Sequence, residues 1–436
     1  MNEDGLQVIR LDQALPGSLS PDALLVHSIM EPEVLVRPAP FYKAMRERQP
    51  VRYDEQAGMW FVSRHEDLLE ITRDSETFSV GRAWNQTFAR EYFDEYKAIL
   101  IRDGGGYFPD AIMTDPPTHT RVRGLLQEAF TPSRIKKLEP LIRNVAADLV
   151  DSLAPRGQMD GVNDFAMPLT LSIMCAQLGI PLEDGPRVLR WTRALAAIRG
   201  AQSAEHMREE ARHYCDLQNY VIACIRARQE QRTDDMISDL IYARGADGTE
   251  TLSFDEIVSL ARALMVGGLD SIGTAISTML YLVASDPGIA RKFEDSVPDE
   301  SRLNRFIEEM LRLEPPARGL FRVATRDVVL PSGGRIPEGG LICLLFSSAN
   351  DDESVFDHPR QFDMDREKLS RHLTFGGGMH ICIGMHLARM QIKVAAQELH
   401  RRITDLKLTI PAEAARYHPT LAMLSLEDLP LTFTTR

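Results

Sequence analysis

An apolar run of about 28 residues, Ile257 to Ala284, has to be buried along most of its length, and the fold must be built around it. Ser253-Phe-Asp-Glu256 has the spacing of a capping box, which predicts a helix start there. Ser285-Asp286-Pro287 predicts its end. A helix of that length exceeds the usual globular size and should cross the whole molecule. Its middle reads Gly267-Gly268-Leu269-Asp270-Ser271. Each glycine costs about 1 kcal/mol relative to alanine in a helix, so the pair needs a reason. A close helix–helix contact is one, and space kept for a ligand is another. The Ser271 hydroxyl can also capture the Gly267 carbonyl and open a local bulge.

A second segment, Phe375-Gly-Gly-Gly-Met-His380-Ile-Cys382-Ile-Gly384, sets one cysteine in a glycine-rich loop. The residues after it, Met385 to Lys393, contain no glycine or proline and read as a helix. A thiolate is a soft axial ligand for haem iron and favours O–O cleavage. Glycines let a backbone approach a large flat cofactor, and a helix N-terminus stabilises the sulfur's charge. The plain alternative is a buried structural cysteine. Zinc is disfavoured, because His380 and Cys382 are two apart with no second Cys/His pair at finger spacing. The segment resembles the haem signature of the cytochrome P450 family, Phe-Gly-x-Gly-x-His/Arg-x-Cys-x-Gly, and Leu387-Ala388-Arg389 fits as well. The resemblance covers nearly the whole chain. It implies a mainly α fold with minor β sheets (α+β), a long central helix crossing over the haem, and haem b ligated by Cys382, with Phe375, His380 and Gly384 beside it.

The same resemblance assigns the other motifs. Asp270 becomes a proton relay and Ser271 the hydroxyl that hydrogen-bonds bound oxygen, with serine where the family usually has threonine. Serine keeps the hydroxyl and loses the methyl that restricts χ1. Thr274, one turn on, is a lesser substitute. Glu309-x-x-Arg312 puts both charges on one helix face. With Arg366 of Phe362-Asp363-x-x-Arg366, the pair implies a buried, structural ion network. The family's Asn-Arg-Asp reads Asn350-Asp351-Asp352 here, so the local salt bridging differs. Asp115-Pro116-Pro117-Thr-His119-Thr-Arg-Val-Arg123 resembles a helix start whose His119 and Arg123, at (i, i+4), face one way. With Arg322 and His380 they would hold the haem propionates, for which a guanidinium fork is suited.

The chain has 436 residues, 44% hydrophobic and 26% charged, with no linker-like tract or repeat, which fits a single domain over 1–436. A net charge of −13 disfavours nucleic acid. The acidic N-terminus and the lack of an 18-residue apolar span lead us to expect no membrane segment and a cytoplasmic place. Of five cysteines, Cys175, Cys215, Cys224 and Cys343 read as packing residues. No reductase motif is present, so electrons would come from another protein; the resemblance implies a ferredoxin and its reductase, docking on Arg134, Lys136, Lys137, Arg371, Arg389 and Lys393. A long loop over 80–112 is rich in aromatics (Trp84, Phe88, Tyr92, Phe93, Tyr96, Tyr107 and Phe108) in a chain with only 7% overall. The resemblance implies that it lies over the substrate, with Leu264, Val266, Gly267, Leu269, Met423 and Leu424 completing an apolar pocket; ordinary packing of a long loop is the alternative. The expected activity is O2-dependent hydroxylation of a terpenoid, steroid, aromatic or polyketide-like small molecule by a monomer. A peroxide-driven peroxygenase and a non-catalytic haem sensor or carrier are the rivals.

Overall fold

The computed structural model describes residues 7–86, 90–199, 203–245 and 248–436, apart from the side chains of 84, 85, 90, 91, 128 and 195–199. The chain is mainly helical with small sheets, as expected. It groups into two compact units: Met1–Phe78 with Glu139–Leu169 and Ser271–Arg436, and Ser79–Leu138 with Thr170–Asp270.

In the first unit, Val51–Asp54, Met59–Val62, Leu341–Leu345 and Gly319–Ala324 lie side by side in one sheet. The outer pairs are antiparallel and the central pair, Trp60 against Ile342, is parallel. The two central strands are apolar throughout, as strands covered on both faces should be. Phe41, Tyr42, Phe61 and Leu345 pack in one apolar cluster, and Val62, Ile71, Leu344 and Phe346 in another. Pro331-Ser-Gly-Gly has the composition of a turn, and it joins Val328–Val329 to Arg335–Ile336, with Gly333 at φ +84°. The sequence near 420–434 reads as a terminal strand pair, but the two strands found there do not pair with each other: Leu424–Leu426 joins Arg416–Pro419, and Pro430–Thr435 lies between Ile403–Leu408 and Gln158–Asp160. The Glu427-Asp-Leu429 stretch between them changes sheets, which a count of alternating residues does not reveal.

The second unit is built of helices, among them Arg90–Asp103, Thr118–Gln127, Ala204–Glu230 and the first part of Phe254–Ser285. The stretch 80–112, expected as a loop, is largely helical, because Arg90–Asp103 has no glycine or proline to stop it. The long helix starts as its capping box requires: Ser253 N donates to Glu256 Oε2 at 2.8 Å, and Glu256 N to Ser253 Oγ at 3.2 Å. The helix is long and apolar enough to cross a bilayer, contrary to the expectation of no such span, yet 56% of its most apolar stretch is buried inside the protein. A core helix passes the same test of length and composition.

Candidate functional site

In the first unit the cysteine loop is clamped from below. Cys382 N donates to Phe375 O at 2.9 Å, closing the loop on itself. Gly378 has φ +64°, and a Cβ there would stand 1.9 Å from the Thr72 carbonyl oxygen, so the backbone of the His65–Arg73 helix leaves room only for glycine. The helix Met385–Arg402 begins three residues after Cys382. Its first N–H groups have no intrahelical acceptor, which favours negative charge nearby. Cys382 is exposed, whereas Cys175, Cys215 and Cys343 are buried. Burial pushes the Cys175 and Cys215 thiols up to about 11 and raises those of Cys224 and Cys343 as well, so these four read as packing residues.

The scaffold under this loop is ionic. Arg312 holds Glu309 through two bonds of 2.8 and 2.9 Å, and neither side chain is exposed at all. Arg366 Nε adds a bond to Glu309 at 3.0 Å, and Asp363 N another at 2.9 Å. Arg312 also donates to Asn350 O at 2.7 Å. The Asn350 side chain then accepts from Leu373 N at 2.7 Å and donates to Thr374 Oγ1 at 2.9 Å. Thus Glu309, Arg312 and Arg366 reach the residues just before Phe375 in two steps. The Asn350-Asp351-Asp352 departure is absorbed locally. Asp351 lies 3.3 Å from Arg360 and 3.6 Å from Arg312, and Asp352 accepts from His65 N at 2.9 Å. A second cluster escaped the sequence reading. Glu308 accepts from Arg389 at 2.6 and 2.8 Å and lies 2.8 Å from His372 Nε2. Burial opposes its charge, yet hydrogen bonds from Arg389 and His372 pull its carboxyl down to about 2. The Arg389 guanidinium sits 4.4 Å from the centre of the Phe375 ring. Local spacing does not flag Glu308, because its partners are distant in sequence.

Arg322 is buried in the strand Gly319–Ala324, opposite Ile342. Met423 meets the long helix: Thr274 Oγ1 lies 3.6 Å from its sulfur. Leu424 lines a cavity of about 260 Å3 whose wall includes Thr274 and Arg318. Of the expected docking cations, Arg389 is engaged by Glu308 and Lys393 by Glu300 at 2.7 Å, whereas Arg371 is exposed.

In the second unit the helix Thr118–Gln127 carries a fully buried His119 and a half-buried Arg123 one turn apart. His119 N bonds to Asp115 O at 3.0 Å, and Asp115 is itself fixed by Ser79 Oγ at 2.5 Å and Val80 N at 2.9 Å. On the long helix a Cβ at Gly267 or Gly268 would meet nothing within 4 Å. Leu264, Val266 and Asp270 are half-buried. Leu269 is corrected: it is 0% exposed, and helical periodicity sets it with Met265 and Arg262 on the packed side. Burial raises the Asp270 carboxyl, and the charge of Arg193 opposes that rise. Phe93 packs near Tyr96 and edge-on to Tyr107, and Phe108 packs edge-on to Phe254. The Trp84 side chain and Phe88 lie outside the described residues. Arg262 was also missed. It is buried, donates to Phe108 O at 2.9 Å and to the Gln218 side chain, and Gln218 in turn bonds Gly106 O at 2.7 Å. A lone arginine inside an apolar helix was the available signal. Arg134 is held by Asp239 at 2.6 Å, whereas Lys136 and Lys137 are exposed.

The residues fit a haem. The donor set holds one exposed thiol at a helix start, and the long helix keeps unfilled space beside two glycines. The cytochrome P450 family model matches residues 191–403. A cytochrome P450 of Bacillus subtilis is 30% identical over 396 residues, covering 90% of this chain and 93% of that protein. The mycinamicin IV hydroxylase/epoxidase of Micromonospora griseorubida is 32% identical over 400 residues, covering 90% and 94%. Among solved structures, cytochrome P450 CREJ in complex with (4-ethylphenyl) dihydrogen phosphate aligns with a TM-score of 0.84 at 29% identity, covering 91% of this chain and 97% of that one. P450BioI in complex with an acyl carrier protein ligated to hexadec-9Z-enoic acid aligns at 0.81 and 28%, covering 92% and 99%. The chain belongs to the cytochrome P450 family and is a haem b monooxygenase that uses O2 and electrons from partner proteins.

Proposed function

We propose that this protein hydroxylates an apolar small molecule of the polyketide, terpenoid, steroid or aromatic kind, with electrons from a ferredoxin and its reductase. The observation that carries the reading is the exposed Cys382 thiol in a loop braced by the Glu309–Arg312–Arg366 network. Cys382 would be the iron's axial ligand, and His119, Arg123, Arg322 and His380 would bind the propionates. Phe375 and Gly384 flank the sulfur. The bound haem supplies the activation of O2. The chain supplies proton handling: burial keeps a proton on the Asp270 carboxyl to higher pH than for an exposed aspartate, and Ser271 Oγ is the adjacent hydroxyl able to pass it on. Leu264, Val266, Gly267 and Met423 would border the substrate. One catalytic domain over 1–436, monomeric and cytoplasmic, is part of the same reading, and the family match spans residues of both units.

The test is the CO-bound, dithionite-reduced spectrum of wild type and Cys382→Ala. The wild type should show the strongly red-shifted Soret band of thiolate ligation, and the variant should lose it. A variant that keeps the shifted band would refute the ligand assignment. NADH consumption with ferredoxin and ferredoxin reductase, stimulated by substrate, separates turnover from mere ligand carriage.

A further inference from the structure

The cavity of about 260 Å3 lies wholly within the first unit and joins a buried cation to an apolar wall. Arg318 is only 4% exposed; its Nη1 donates to Leu35 O at 2.6 Å, and its backbone N to Ala422 O at 2.8 Å. Two carboxylates line the same cavity, but other arginines take them. Glu314 lies 2.5 Å from Arg360, and Asp351 lies 3.3 Å from Arg360 and 3.6 Å from Arg312. Tyr42 and Ser347 line the wall with buried hydroxyls that, among the described residues, make no well-formed hydrogen bond. Arg318 and Tyr42 both line the cavity, and the charge of the guanidinium acts on the phenol. Leu282, Leu424 and Leu426 supply apolar lining.

A buried guanidinium is poorly tolerated without a counter-charge, and its planar fork matches a carboxylate. A hydroxyl on the same wall can add a donor to the same oxygens. We propose that this cavity is a binding site for a small apolar monocarboxylate of benzoate size. Its carboxylate sits on Arg318 and Tyr42, and its body lies against Leu282, Leu424 and Leu426. The site is independent of the Cys382 reading, since none of these residues is assigned to the haem. Leu424, expected at the substrate pocket, also lines this cavity.

The experiment titrates benzoate, and benzamide as its uncharged counterpart, into the haem-loaded protein by calorimetry, with the Soret band recorded in parallel. Benzoate should bind with the Soret band unchanged, and benzamide should bind at least about tenfold more weakly. Tyr42→Phe and Arg318→Gln should each weaken benzoate at least about tenfold and leave the CO spectrum as in wild type. If Arg318→Gln does not fold, Tyr42→Phe decides, because it removes a single oxygen. The proposal is overturned by an absence of benzoate binding, by equal binding of benzamide, by a Soret shift that tracks binding, or by a Tyr42→Phe variant that binds as wild type.

Discussion

Cys382 is set apart from the other cysteines by solvent access and by the helix start beside it, and chemistry follows from that difference. Asp270 differs in another way: desolvation raises its carboxyl, and the charge of Arg193 opposes that rise. Asp270→Asn should therefore keep its haem and lower turnover by about 100-fold. The check is the turnover rate with a solvent isotope effect, and an unchanged rate removes Asp270 from the proton relay. Glu308 is the opposite case. Its carboxyl falls from 4.5 to about 2, so it stabilises the fold above its unfolded value and loses that contribution as pH drops from 4.5 toward 2. The contribution is of order 3 kcal/mol. Glu308→Gln should lower thermal stability at neutral pH and flatten the acid limb of the stability profile, measured by melting temperature from pH 7 to pH 2.

At the scale of elements, the buried Glu309–Arg312–Arg366 network fastens the helix Glu300–Leu313 to the segment leading into Phe375. Removing one partner of such a cluster leaves an uncompensated charge and costs about 3–5 kcal/mol. Arg312→Met should give protein with a low haem-to-protein ratio by pyridine haemochrome assay; full haem content would show that the loop stands without the network. What the sequence made legible were features of short range: the capping box, the cysteine loop, the Glu309–Arg312 spacing and the His119–Arg123 turn. What it hid depended on distant partners. Arg360 compensates Asp351 from nine residues away, Arg389 reaches back to Glu308, and Arg262 grips Phe108 across 154 positions. Leu269 was misplaced because proximity to the glycines outweighed helical phase, and the aromatic stretch hid the helix Arg90–Asp103.

At the scale of the whole molecule, a net charge of −13 would repel an acidic electron donor unless a local positive patch remained. Ion pairing removes Arg134, Arg389 and Lys393 from easy use, so the exposed Lys136, Lys137 and Arg371 carry the expectation. Charge reversal at Lys136 and Lys137 together should raise the KM for ferredoxin several-fold at low salt and have little effect at high salt, where exposed charges are screened. Steady-state kinetics across ionic strength would reveal it, and salt-independent loss would point to misfolding. A last consequence comes from Gly378, whose backbone is wedged against the Thr72 carbonyl. The loop that carries Cys382 is thereby keyed to a helix far earlier in the chain. Under the ligation we propose, a change in that helix would reach the iron's ligand from outside the cysteine loop's own sequence, and a reduction potential would read it.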